Sequence, residues 1–285
     1  MTGVQTCALP ISEQPVRHGA LARFYAGLSE RRFSLSIQLH GSGNASNEIV
    51  TGFGARCMAG FCRGASVTRE HTLLFPYPEL GAEPERLQFL MERLGAPHAG
   101  TELEFPLERQ DQDELQASGV GKDLAPGDYL CIHPGARHRD KCWPARYFAE
   151  VGDHLYAEFG LQVVLTGAAH EADLTAAVAR HMRHRAIDAA APISIGAMAS
   201  LMRGARLLLC NDTGVSHIAA GLKLKSVVVF SKADIARWAP LDRVIHRCIW
   251  DPGAERVKVV LEHARALLSD TSPSRQRSVG MWPYW

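Results

Sequence analysis

LLLCNDTGVSHIAAGL, residues 207–222, is the stretch whose reading decides the fold. Leu207, Leu208, Leu209 and Cys210 form an apolar run of the length of a buried strand. From Thr213 to Leu222 the spacing becomes that of an amphipathic helix. The turn between them is built of small and polar residues. Such a strand–turn–helix unit aims backbone N–H groups and the positive end of a helix dipole at any anion above it. HPGARHRDKCWP, residues 133–144, repeats the arrangement after an apolar run at 128–132, with Arg137, Arg139 and Lys141 alongside. Two such turns in one half of the chain predict a site for a diphosphate.

Outward from these segments the pattern stays regular. Strands are expected at 128–132, 161–166, 186–188, 205–210, 226–230 and 244–249. Helices are expected at 145–159, 171–182, 195–203, 213–222 and 255–268. Alternation of this kind means βαβ units, hence an α/β fold with a parallel sheet covered on both faces. Ligands of such sheets sit outside the carboxyl ends of the strands, where both motifs fall. The Gly- and polar-rich residues 119–127 mark a domain boundary, giving an N-terminal domain at 13–124 and a C-terminal one at 125–270. The first of these reads as helices at 19–30, 47–53, 84–94 and 110–117 and strands at 33–40 and 57–61. Residues 62–83, with Pro76 and Pro78, read as irregular. Residues 1–12, MTGVQTCALPIS, resemble a translated sequencing adapter and are expected to be non-native. Residues 271–285 form a tail without a structural assignment.

Composition narrows the function classes. The chain has 285 residues and a formal net charge of +1, so no global field draws it to nucleic acid. No apolar run approaches the ~20 residues that span a bilayer, and no signal-peptide pattern opens the sequence. The seven cysteines are scattered and form no CxxC pair, which fits a reducing, cytoplasmic setting. Cys131 and Cys210 end strand-like runs and read as core. GxGxxG after a strand, GxxxxGK[ST], HExxH and GxSxG are all missing, as is any clustered Cys/His set. Metal hydrolysis and covalent catalysis are therefore poorly supported, and no metal ligands are assigned.

The motif residues carry open alternatives. Thr213 is placed to cap the helix through its hydroxyl, and Gly214 to admit a ligand close to the backbone. Ser216 and His217 fall in the first helical turn. Asp212 suits sugar hydroxyls better than phosphate, because a carboxylate repels an anion; the alternative is a turn former before a plain capped helix. Gly135 opens the backbone, and Arg137 and Lys141 supply charge for phosphate oxygens, unless the loop is simply a solvated basic one. Trp143 and Pro144 start the next helix and would wall the pocket. His133 reads as a core or turn residue or as a catalytic one. Thr166, Gly167 and Glu171 repeat the geometry a third time, with Glu171 either accepting from ribose hydroxyls or merely favouring its helix start. Arg237 and Trp238 follow the strand at 226–230, and Trp238 stacks on a base or sugar or anchors a packed loop.

HPGAR with KCWP, VVLTGAAHE, and NDTGVSHIAAGL followed by SVVVF together resemble glycosyltransferase family 9, the lipopolysaccharide heptosyltransferases. The resemblance runs from about residue 128 to 240, with a weaker match around 32–63. It implies a GT-B architecture, two Rossmann-like domains with parallel sheets, the N-terminal one incomplete here, and a cleft site between them. It implies an inverting transfer of heptose from ADP-heptose to the lipopolysaccharide inner core. The partners would be a nucleotide-sugar donor and a lipid-linked core oligosaccharide acceptor, with the ADP-sugar as substrate and no cofactor. The setting would be cytoplasmic, with peripheral contact at the inner-membrane face. By position, Lys141 would contact the donor phosphates and Glu171 the nucleoside. Asp212, Thr213 and Gly214 would meet the sugar and diphosphate, with Ser216 and His217 lining the same helix start. Arg137, Thr166 and Gly167 join this donor set, and Arg237 and Trp238 correspond to a variable donor-side loop. The family's base is an Asp in a Gly-Asp segment of its first strand-loop-helix. No such segment precedes Leu21, so the catalytic residue is unassigned and the chain is expected to enter the first domain late. Weak ADP binding with little transfer follows from that expectation. The alternatives are another GT-B enzyme using a UDP-sugar, or a non-catalytic nucleotide-sugar-binding homologue.

Overall fold

Two units make up the chain, residues 1–101 and 102–285. The computed structural model describes residues 18–270; the expectations for residues 1–12 and 271–285 fall outside them.

The first unit runs α1 (His18–Glu30), β1 (Leu35–Ile37), α2 (Ser46–Thr51), β2 (Cys57–Cys62), β3 (Val67–Arg69), β4 (Thr72–Pro76) and α3 (Glu83–Arg93). Its sheet has the order β1-β2-β4-β3. β1, β2 and β4 are parallel, and β3 is an antiparallel edge. The segment expected to be irregular therefore holds two strands. Leu73, Leu74 and Phe75 pair along β2, and Pro76 ends β4, where Tyr77 donates the next ladder bond to the Cys62 carbonyl at 3.0 Å. A proline at a strand end removes no central bond, which is why the prolines misled. Gln38, 1% exposed, ties the chain leaving β1 to β2. It accepts from Phe61 N–H at 3.2 Å and donates to Ser46 Oγ at 2.8 Å and to the His40 carbonyl.

The second unit runs α4 (Arg109–Ser118), β5 (Tyr129–His133), α5 (Ala145–Phe159), β6 (Gln162–Thr166), α6 (Ala172–His181), β7 (Ile187–Ala189), α7 (Ile195–Arg203), β8 (Leu208–Asn211), α8 (Gly214–Leu222), β9 (Ser226–Phe230), α9 (Ile235–Trp238), β10 (His246–Trp250) and α10 (Val257–Ser269). The division precedes α4, not the 119–127 segment. Phe105, Leu107 and Leu115 pack on the second unit's core, and Glu114 accepts from both Ser194 N–H and Ser194 Oγ. Contact is so close that a Cβ on Gly221 would stand 2.8 Å from Phe105 N. These attachments are tertiary, so composition at 119–127 did not reveal them.

The second sheet is parallel throughout, in the order β10-β9-β8-β5-β6-β7. Alternate residues feed two cores. Leu130, Ile132, Val163, Leu165, Leu207, Leu209, Val227 and Val229 pack with α5 and α10. Tyr129, Cys131, Val164, Leu208, Cys210, Val228 and Phe230 pack with α7 and α8. Burial on both faces explains strands that read as continuous apolar runs.

Candidate functional site

The strand order of the second sheet sets the site. β5, β6 and β7 run outward to one side of the centre, and β8, β9 and β10 to the other. The order reverses between β5 and β8. A crevice opens at such a switch point, outside the carboxyl ends of the two strands that flank it. The chain leaving β5 is the HPGARHRDKCWP loop, and the chain leaving β8 is the NDTGVSH turn. Segments about 70 residues apart in sequence thus meet at one place.

Lys141 and Asp212 make the contact. Lys141 Nζ lies 3.6 Å from Asp212 Oδ2, with side chains 29% and 12% exposed. Burial raises the Asp212 carboxyl above its ordinary value, and Lys141 and His217 oppose that rise. His217 is half-buried on α8; burial lowers its imidazole, against the pull of Asp212. Thr213 is the N-cap residue of α8, but its side chain makes no capping bond. Its carbonyl instead accepts from Ser216 N–H at 3.0 Å and Ser216 Oγ at 2.8 Å. The expected hydroxyl cap is therefore replaced by a serine closing the first turn from within. Gly214 is exposed, and a Cβ there would meet nothing within 4 Å, so the helix start lies open.

Glu171 arrives from the turn after β6. Its side chain is 13% exposed, and Oε2 accepts from Ala168 N–H at 2.9 Å. The carboxylate hangs over the β5 loop so closely that a Cβ at Gly135 would stand 2.1 Å from Oε1. His133 lies beneath, 4% exposed, with Nε2 3.8 Å from Glu171 Oε2 and Nδ1 3.2 Å from Thr166 Oγ1. Burial depresses His133, with Glu171 pulling the other way. Thr166 is fully buried, and its hydroxyl donates to the Ile132 carbonyl at 3.4 Å. Thr166 and His133 thus form the floor of the crevice, and Gly167 is buried beside them.

Other expected residues sit further out. Arg137 is exposed on the β5 loop. Arg139 makes a bidentate pair with Asp173 at 2.8 and 3.0 Å. Trp238 packs part-way into the core, and its ring carries the Arg237 guanidinium at 4.5 Å, an arrangement that favours the packed-anchor reading. Trp143 is 4% exposed, and its indole donates to Asp251 Oδ2 at 2.9 Å. Asp251 also accepts the N–H groups of Glu255 and Arg256 ahead of α10.

Sequence reasoning passed over Asn211. It is fully buried. Oδ1 accepts from Trp143 N–H at 2.8 Å, and Nδ2 donates to the carbonyls of Pro134 at 2.8 Å and Gly135 at 3.3 Å. A polar residue closing an apolar strand was the available signal, since buried polar groups need partners.

Chemically, the crevice offers a cation, a carboxylate aimed at the same point, an open helix start and a second carboxylate on the β6 side. Among the described residues no group of three or more His, Cys, Asp or Glu could hold a metal ion. No helix among them is long and apolar enough to cross a membrane.

The model of glycosyltransferase family 9 (heptosyltransferase) matches residues 21–261. Lipopolysaccharide heptosyltransferase 3 of Escherichia coli is 31% identical over 130 residues, 45% of this chain and 36% of that protein. Lipopolysaccharide heptosyltransferase 1 of Escherichia coli (strain K12) is 27% identical over 109 residues, 38% of this chain and 33% of that protein. The matched stretch thus spans about a third of the length of these curated relatives. Among solved structures, the glycosyl transferase family 9 protein from Veillonella parvula DSM 2008 superposes with a TM-score of 0.76 at 17% identity, covering 90% of this chain and 80% of that one. The E. coli heptosyltransferase WaaC with ADP gives 0.66 at 19% identity, covering 88% and 78%. Both likenesses concern the fold.

Proposed function

This chain belongs to glycosyltransferase family 9, and on that premise we propose that its second unit holds the ADP-heptose donor of a heptosyl transfer to the lipopolysaccharide inner core. The observation that carries the reading is the meeting of Lys141 and Asp212 at the switch point, 3.6 Å apart beside the open start of α8. The α/β units with parallel sheets are of the GT-B-like kind.

In the reaction so proposed, an acceptor hydroxyl oxygen attacks the anomeric carbon of the heptose while its proton passes to a general base. The bond from that carbon to the diphosphate oxygen breaks, with inversion, and ADP departs carrying the electron pair. Charge grows on the leaving phosphate oxygen. Lys141 and the N–H groups at the start of α8 face that charge, and a preorganised donor of this kind contributes on the order of 3 kcal/mol to the transition state. Asp212 repels phosphate and accepts from sugar hydroxyls, so it orients the heptose rather than the diphosphate. Glu171 serves the ribose hydroxyls from the β6 side. Arg137 adds charge at the rim. The reading takes the ADP-sugar as substrate and calls for no cofactor. The acceptor is a lipid-linked core oligosaccharide, which sets the reaction in the cytoplasm at the inner-membrane face.

Calorimetric titration tests the donor assignment. ADP is expected to bind in preference to UDP. Lys141→Ala and Asp212→Asn are expected to weaken an ADP-sugar, with near-UV circular dichroism unchanged. Equal binding of UDP, or unaltered affinity in both variants, overturns the assignment.

A further inference from the structure

We propose that Asn211 is the positioning residue of this site: its carboxamide sets the separation of Lys141 and Asp212 by holding both ends of the loop that carries Lys141. The inference rests on the donor reading for its ligand, though its geometry stands without one.

The loop leaves β5 at Pro134 and enters α5 after Pro144. Asn211 Nδ2 grips its beginning through the carbonyls of Pro134 and Gly135, and Asn211 Oδ1 grips its end through Trp143 N–H. Lys141 lies between, two residues before Trp143. Asp212 is the next residue after Asn211, and its own N–H is fixed by the Val229 carbonyl at 2.9 Å. One side chain therefore ties the cation's loop to the backbone that carries its carboxylate partner. A carboxamide does this because it carries a donor and an acceptor on one short planar group; a carboxylate would face two carbonyl oxygens with no proton to offer. Full burial removes water as a substitute.

Other anchors of the loop act elsewhere: Arg139 pairs with Asp173 and Asp140 with Lys232. Ser231 Oγ donates to the Lys141 carbonyl at 3.1 Å, and Lys141 N–H donates to the His138 carbonyl at 3.0 Å. The Trp143 indole is held by Asp251. These fix the backbone near Lys141 and the wall behind it. None of them joins the loop to the β8 turn.

The test is a double-mutant cycle on the full chain with ADP as probe, read by calorimetry at fixed ionic strength. Asn211→Ala is expected to weaken ADP about tenfold. Combined with Lys141→Ala it is expected to be no weaker than Lys141→Ala alone, within about twofold, because Asn211 acts through Lys141. A ligand-free arm follows the Asp212 carboxyl by carbon-13 NMR, with Lys141 and His217 as the charged groups facing it. Asn211→Ala is expected to move that titration upward, in the same direction as Lys141→Ala. Unchanged ADP affinity, losses that multiply in the double variant, or an unmoved Asp212 titration would each overturn the proposal. Should the parent chain bind no ADP, the donor reading fails, and the NMR arm alone decides the role of Asn211. Should Asn211→Ala not fold, Asn211→Ser, which retains a hydroxyl too short to reach both loop ends, takes its place with the same expected signs.

Discussion

Each unit fastens the carboxyl ends of its parallel strands with one buried carboxamide, yet the two fastenings have different consequences. In the first unit Gln38 joins the His40 carbonyl, Ser46 Oγ and Phe61 N–H, all neutral groups. In the second, Asn211 joins two loops and leaves a lysine facing an aspartate. The sheets beneath differ as well. Every residue of β5, β8 and β9 is buried, whereas β1 and β4 leave Leu35 45% and Leu73 39% exposed. A charged pair held at a defined spacing needs a stiff floor, and the second sheet, buried on both faces along β5, β8 and β9, supplies one.

The comparison breaks first at its foundation. Phe148→Ala, fully buried on α5, is expected to destabilise by about 3–5 kcal/mol, and Leu73→Ala by less than ~1 kcal/mol. Urea unfolding measures both, followed by the fluorescence of Trp143, Trp238 and Trp250 for the second unit and by far-UV circular dichroism for the first. Equal costs would erase the contrast between the sheets.

A pH experiment sharpens it. His246 is 2% exposed on β10, bonded to Ser226 Oγ at 2.8 Å, and burial lowers it to about 4. Below its ordinary value near 6.5 the unfolded chain takes up a proton that the native one does not. Stability is therefore full above pH 6.5 and falls toward pH 4, by up to ~3 kcal/mol from this group. His246→Asn should flatten that part of the acid limb in fluorescence-detected melts. An unchanged slope would mean that the second unit's interior is wetter than its packing indicates.

Gln38→Ala tests the neutral fastening. Its three partners lose their bond, and the Phe61 N–H is left buried without an acceptor, at a cost of about 1–3 kcal/mol, seen by far-UV circular dichroism during urea unfolding, while ADP titration is unaffected. A loss of ADP affinity as large as that of Asn211→Ala would make the two carboxamides equivalent and dissolve the distinction. The smallest effect is expected at Arg139→Ala. Its pair with Asp173 is exposed, 53% and 65%, so neither the melting midpoint nor ADP affinity should move measurably.

Much of the second unit was legible because its information is local. Continuous apolar runs such as Leu207 to Cys210, each followed by a polar turn and an amphipathic stretch, need no partner to be recognised. β4 escaped because Pro76 and Pro78 look like breakers until β2 is present to pair with Leu73 to Phe75. The short α9 escaped because one helical turn carries no periodicity. In the site, Lys141, Asp212 and Glu171 were named from charge and position. Their spacing depended on strand order, which no local pattern encodes. Thr166 was grouped with them by sequence, yet its hydroxyl turns down to the Ile132 carbonyl. Asn211 stood in full view inside the sharpest motif, but its three bonds reach 68 to 77 residues back along the chain.

That reach has a kinetic meaning. β5, synthesised before any other strand of its sheet, comes to lie at the middle of the finished order. At about 5–20 residues per second, translation separates Trp143 from Asn211 by roughly 3–14 s. Through that interval a five-residue apolar strand and a basic loop wait without the neighbour that covers one and neutralises the other. Nascent chains of this protein should thus pass through an adhesive stage, relieved when β8 docks.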